Sequence, residues 1–161
     1  MQTKVLRADY QKPKFSINQL ELHFNVLADS VQVTGQVDVQ SEVASLSFDC
    51  EVENITQVEA DPRATDFSWE HEQDILHLHG MKGSRKIKIT LQLDPWSNTS
   101  LSGLYASNNK LVTQCEAQGF RKIFPFPDQP DILTTYKVSI TGDEERFPVM
   151  LSNGNLIATE S

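Results

Sequence analysis

Glu116 follows Gln114 by two positions and precedes Gly119 by three, in the stretch Thr113-Gln-Cys-Glu-Ala-Gln-Gly-Phe-Arg121. A carboxylate beside an amide and ahead of a glycine can be presented on a short loop, where it could receive a cation. The α-amino group of a peptide has a pKa of about 8, so most of it is charged at neutral pH. A partly desolvated ammonium needs an anionic partner. A carboxylate at the closed end of a cleft therefore accepts a free N-terminus and leaves an internal peptide bond unpaired. Gln114 projects to the same side as Glu116 if the segment is extended, and its amide could line the pocket for the first side chain. Spacing alone leaves open whether Glu116 is such a site or a solvated loop acid, and whether Gln114 is a pocket residue or a surface amide.

His77 and His79, two apart on an expected strand, point to one face, with Glu70, His71 and Glu72 near in sequence. Two imidazoles can begin a metal site, but catalytic zinc needs a third ligand and an open position. The i, i+2 pair is common and unspecific, and the reading preferred is a polar outer strand face with Leu76 and Leu78 alternating with it as the buried pair. The expectation is no metal site in this chain. No Gly-x-Ser-x-Gly elbow, Gly-rich phosphate loop or Cys-x-x-Cys pair is present. Cys50 and Cys115 make no disulfide framework, and Cys50 is expected to pack as a small hydrophobe. Cys115 has no evident basic neighbour to lower its pKa. No catalytic residue is therefore assigned to this chain.

The elements that must position these groups alternate with a period of two, the pattern of half-buried strands. Leu20, Leu22, Phe24 and Val26 alternate with polar residues, as do Val31, Val33, Val37 and Val39, with Ala28-Asp29-Ser30 as a hairpin connection between them. Ile87, Ile89, Leu91 and Leu93 repeat the pattern. Shorter candidates are 44–49, 54–59, 75–79, 134–141 and 147–151. No window carries helical periodicity. The fold class is all-β, with twisted antiparallel sheets in a sandwich-like, saddle-shaped domain. No repeat or linker divides residues 1–161, so the whole chain reads as one domain.

Composition is that of an ordinary globular domain, 39% hydrophobic and 22% charged. The formal net charge of −8 argues against nucleic-acid partners, which need a basic face to displace phosphate counterions. It is compatible with cationic ligands such as peptide N-termini. No apolar run approaches the roughly 20 residues of a membrane span, and residues 1–7 lack the apolar core of a signal peptide, so the expected compartment is the cytosol.

Three stretches carry a resemblance. They are Leu101-Ser-Gly-Leu-Tyr-Ala-Ser107, the Gln114 to Arg121 segment, and Leu151-Ser-Asn-Gly-Asn155. Together they resemble the N-terminal domain of the zinc-dependent M1 aminopeptidases of bacterial aminopeptidase N type, a likeness that extends from Tyr10 to Asn155. It implies that Glu116 grips the free amine of a peptide substrate and that Gln114 helps shape the first-residue pocket. It implies zinc in the complete enzyme and none bound by this chain, because the family's His-Glu-x-x-His helix and Gly-x-Met-Glu-Asn loop lie in a catalytic domain absent from the sequence. The partners implied are that catalytic domain and peptide N-termini. The chain is then a substrate-recognition domain, inactive alone and expected to lack the domain's last strands. The alternative is a stand-alone non-catalytic β-sandwich binding module. The stiff segment Phe124-Pro-Phe-Pro-Asp-Gln-Pro-Asp131 replaces the family's Tyr-Tyr-Leu-Asp-Arg-Pro-Asp and carries no expectation for Gln129. In the resembled family it holds the amine-binding loop, while Phe124 and Phe126 either fill the core or pack on the catalytic domain.

Overall fold

The computed structural model describes residues 7–61 and 64–159. Ten strands follow in chain order: β1 Phe15–Val26, β2 Val31–Ser41, β3 Ser45–Asp49, β4 Ile55–Ala60, β5 Ser68–Glu72, β6 Ile75–His79, β7 Gly83–Leu93, β8 Gly103–Ser107, β9 Lys110–Gln114 and β10 Thr135–Thr141. They form a five-stranded sheet in the order β10-β1-β2-β7-β4, a three-stranded sheet β3-β6-β5, and the hairpin β8-β9. The fold is all-β, as the alternation predicts. Pairing is antiparallel except between β1 and β10, which run parallel.

β2 shows why the large sheet has an inside. Val31, Val33, Val37 and Val39 fall on one face and are fully buried, while Gln32, Gln36 and Gln40 face water. In register beside them on β7, Ile87, Ile89 and Leu91 are equally buried. The small sheet contributes Leu46 and Phe48 from β3 with Leu76 and Leu78 from β6, and all join one continuous core. Each fully buried aliphatic side chain of this kind contributes about 1.5–3 kcal/mol.

Gly35 occupies the middle of the buried face of β2, where a valine would continue the pattern. A Cβ there would lie 2.2 Å from Cζ of Phe124. The ring of Phe124 thus lies against the sheet backbone in the space that a side chain would fill, and it is fully buried. Phe126 is also buried, packing on Phe48 and edge-on to Phe120. Both phenylalanines of the proline-rich segment therefore fill the core.

Several boundaries differ from the sequence expectation. The strand expected over 147–151 does not form. Pro148 has no N–H for a ladder, and Val149 and Leu151 are exposed. β5, β8 and β9 are strands that hydrophobic alternation misses, because β5 and β9 carry no fully buried residue and β8 buries two adjacent ones, Gly103 and Leu104. The turn at 28–30 does join β1 to β2, closed by the Leu27 N–H on the Ser30 carbonyl at 2.9 Å.

Cys50 is a fully buried free thiol, and burial pushes its pKa up to about 11. An unfolded thiol ionises near 9.0, so the folded chain holds this proton where the unfolded chain releases it. The stability that this proton confers is fully present below pH 9 and is lost as pH rises through 11.

Two measurements test this packing. Gly35→Ala is expected to lower stability by about 1–3 kcal/mol through overpacking, read as a reduced urea midpoint, and shortening Phe124 to leucine in the same chain should recover part of the loss. Between pH 9 and 11 the wild-type chain is expected to lose roughly 2–3 kcal/mol that a Cys50→Ala chain does not lose. Parallel pH profiles for the two chains would remove Cys50 as the cause.

Candidate functional site

The candidate loop leaves the end of the β8-β9 hairpin. Asn108 and Asn109 form its two-residue turn with φ of 48° and 61°, the left-handed pair that such hairpins require and that asparagine tolerates. Gln114 is the last residue of β9 and lies opposite Gly103. Gly103 has φ of 75°, and a Cβ on it would lie 2.8 Å from the Cβ of Lys122. The start of the hairpin is therefore pressed against the chain that leaves the loop. The Asn98 amide, which donates to the carbonyls of Ser102 and Leu104 at 2.9 and 2.8 Å, fixes that start from the other side.

From Cys115 the chain turns back on itself. The Gly119 N–H donates to the Cys115 carbonyl at 2.8 Å. A Cβ on Gly119 would sit 2.5 Å from the Gln114 carbonyl oxygen and 2.7 Å from Cα of Cys115, so only glycine allows the two ends of the loop to meet. A 3-10 turn at Phe120–Lys122 follows, closed by the Lys122, Ile123 and Phe124 N–H groups. The peptide between Glu116 and Ala117 is cis.

Beneath the loop lies an ionic cluster. Arg121 Nη1 is 3.1 Å from Asp49 Oδ1, its Nε donates to Asp128 Oδ2 at 3.2 Å, and its Nη2 donates to the Asp128 carbonyl at 3.1 Å. The Asp128 N–H donates to the other oxygen of Asp49 at 3.1 Å. Main-chain bonds run alongside, from Glu51 N–H to the Arg121 carbonyl and from Phe126 N–H to the Asp49 carbonyl. The side chains of Arg121 and Asp128 are only 15% and 17% exposed, so the cluster is largely removed from solvent screening. Asp49 ends β3, and through it the loop and the proline-rich segment are both tied to the small sheet. Sequence reading missed this cluster. Asp49 and Asp128 are 79 residues apart, and no local spacing pairs them.

Glu116 itself is exposed, and its carboxylate meets no partner among the described residues. Gln114 is exposed beside it, its Nε2 3.5 Å from the Glu116 carbonyl oxygen. The two residues singled out in the sequence therefore stand close together, Gln114 at the base of the loop and Glu116 within it. Cys115 between them is half-buried, and burial together with the charge of Asp128 pushes its thiol pKa up. It is a poor nucleophile at neutral pH.

His77 and His79 share the outer face of the small sheet as expected, flanking buried Leu76 and Leu78. Their Nδ1 atoms bond to the hydroxyls of Ser47 and Ser45 at 3.2 and 3.0 Å, and Nε2 of His79 is 3.5 Å from Glu70. His71 turns elsewhere, to the Cys50 carbonyl. Among the described residues no three His, Cys, Asp or Glu side chains converge on a position that could hold a metal ion. The donor set does not fit a zinc centre. Nor is any helix among the described residues long and apolar enough to cross a membrane.

Known proteins place this geometry in a family. The profile of the Peptidase M1 N-terminal domain matches residues 10–161. Aminopeptidase N of Escherichia coli is 33% identical over 155 residues, covering 94% of this chain and 18% of its own length. Aminopeptidase N of Haemophilus influenzae is 35% identical over 158 residues, with 95% and 18% covered. The chain thus spans about a fifth of the length of the curated relatives that it matches. In structure it is similar to Legionella pneumophila aminopeptidase A, solved with aspartic acid, at a TM-score of 0.81 and 26% identity over 94% of this chain and 19% of that one. An M1 zinc metallopeptidase from Deinococcus radiodurans shares the fold at a TM-score of 0.67 and 13% identity, with 81% of this chain and 33% of that one covered. With its motifs, its all-β sheets and a profile match over residues 10–161 in agreement, the chain belongs to the Peptidase M1 N-terminal domain family.

Proposed function

We propose that this chain is the substrate-recognition domain of a cytosolic zinc aminopeptidase, in which Glu116 binds the free amine of a peptide and Gln114 flanks the first residue. The observation that carries this reading is the unpartnered carboxylate of Glu116 within a loop whose base is bonded to two sheets. Elsewhere in the loop charges are satisfied: Arg121 and Asp128 neutralise one another, and Lys122 lies 3.5 Å from Glu51. Glu116 is left to meet a cation from outside.

Once a second domain closes over this surface, the ammonium of a bound peptide loses water and gains the carboxylate. An internal peptide bond would leave that carboxylate desolvated and unpaired, which is the unfavourable arrangement. Selection for chain ends follows from this difference alone. The Gln114 amide, donor and acceptor together, suits the polar edge of the same pocket. In this reading the hydrolytic chemistry belongs to a zinc-bearing partner domain of the same enzyme. This chain contributes binding and orientation.

The test is made in a polypeptide that joins this domain to a zinc-bearing catalytic domain. Glu116→Gln keeps the shape and removes the charge, and breaking a charge pair of this kind costs about 2–5 kcal/mol. The expected result is at least a tenfold fall in kcat/KM for peptides with free amines, and an unchanged value would end the assignment. A second expectation concerns pH. The ligand amine must be protonated, so wild-type affinity should be full below its pKa of about 8 and decline as pH rises above it. Inhibitor affinities measured across that range would expose a flat profile, which is the contrary result.

A further inference from the structure

We infer that Arg121 is the positioning residue of this loop: its guanidinium, forked between Asp49 and Asp128, holds the turn that presents Glu116. The catalytic consequence rests on the amine-binding reading of Glu116, but the positioning does not. All three guanidinium nitrogens are committed, Nη1 to Asp49 and Nε and Nη2 to Asp128. The backbone of the same residue is bonded at both ends, its N–H to Asp128 Oδ2 at 3.3 Å and its carbonyl to the Glu51 N–H at 2.9 Å. Arg121 therefore fixes both its own main chain and the two segments on either side.

From Arg121 the path to Glu116 is short and rigid. The 3-10 turn begins at Phe120, whose ring is held edge-on by Phe126 at 5.6 Å. Gly119 precedes it, in contact with the Gln114 carbonyl and bonded to the Cys115 carbonyl. Glu116 lies inside that closed ring. With no side-chain partner of its own, Glu116 takes its main-chain position from this support. Lysine cannot replace the arginine, because one ammonium cannot span acceptors that lie on different sides of a planar fork.

Hydrogen exchange on the 161-residue chain tests this. Arg121→Lys, and independently Asp128→Asn, should speed exchange of the Gly119 and Lys122 amides by about tenfold or more, the worth of a hydrogen bond to a charged group. The amides of Val33, Val37 and Ile89 in the large sheet should keep their wild-type rates. Unchanged exchange at Gly119 and Lys122 would overturn the inference, and so would a uniform acceleration that includes the large sheet, the mark of a merely structural role. In the polypeptide joined to a zinc-bearing domain, Arg121→Lys should raise KM for free-amine peptides more than it lowers kcat. Combined with Glu116→Gln it should add little further loss, because both changes act on one interaction. Full additivity there would overturn the link to Glu116. If Glu116→Gln alone is silent while the loop amides of Arg121→Lys exchange faster, the positioning stands and the amine-binding reading falls.

Discussion

The contact between the ring of Phe124 and the backbone of Gly35 is the constraint on which the rest of this structure depends. A strand in the centre of a sheet rarely gives up a side chain, since glycine weakens it. Here the vacancy is filled by a residue 89 positions later in sequence, and the exchange converts a surface connection into part of the core. Phe124 lies three residues after Arg121 and four before Asp128, so seating the ring brings both ends of the ionic cluster to the rim of the small sheet. The loop above is then a consequence of core packing, not a flexible appendage to it.

The ionic cluster adds definition more than stability. Removing a guanidinium and two carboxylates from water is costly, and a hydrophobic replacement would often serve the fold as well. What an apolar patch could not supply is direction. Asp49 Oδ1, Asp128 Oδ2 and the Asp128 carbonyl each face a different guanidinium nitrogen of Arg121, which admits one register of the loop over the sheet. The two glycines at close approach, Gly103 and Gly119, restrict it further by allowing backbone contact where any side chain would force the segments apart.

The large sheet was legible in the sequence because its strands are long and buried on one side only. The alternating valines of β2 and the Ile87, Ile89, Leu91 series of β7 fixed its inner face without ambiguity. The hairpin carrying Gln114 was harder. Val112 on β9 is 38% exposed and Leu111 only partly buried, so the strand lacks the alternation that betrays a half-buried neighbour. The parallel pairing of β10 with β1 joins residues more than a hundred positions apart, which no local pattern records. Conversely, 147–151 looked like a strand because periodicity registers hydrophobic spacing and not the presence of a ladder partner. At the site, residue types suggest Gln114 and Glu116, and the fold brings them close together. The support under them is a set of long-range contacts that local spacing could not disclose.

A loop that recognises a charge gains from rigidity in a way that a hydrophobic pocket does not. Apolar contact tolerates small displacements, but a carboxylate that must meet one ammonium loses both Coulomb energy and hydrogen-bond geometry as it moves, and ordering a mobile side chain on binding carries its own entropic cost. Glu116 keeps its side chain free while its main chain is enclosed by bonds at Cys115, Gly119 and the turn beyond. In the proposed reading the main chain is ordered during folding, so the substrate has only the carboxylate rotamer left to fix. The same logic accounts for an uncompensated charge, Glu116, standing beside a heavily bonded segment. A carboxylate left without an internal partner stays available to a ligand only if the surrounding chain cannot fold over to neutralise it, and here the cations that follow it in sequence, Arg121 and Lys122, are already held by Asp49, Asp128 and Glu51.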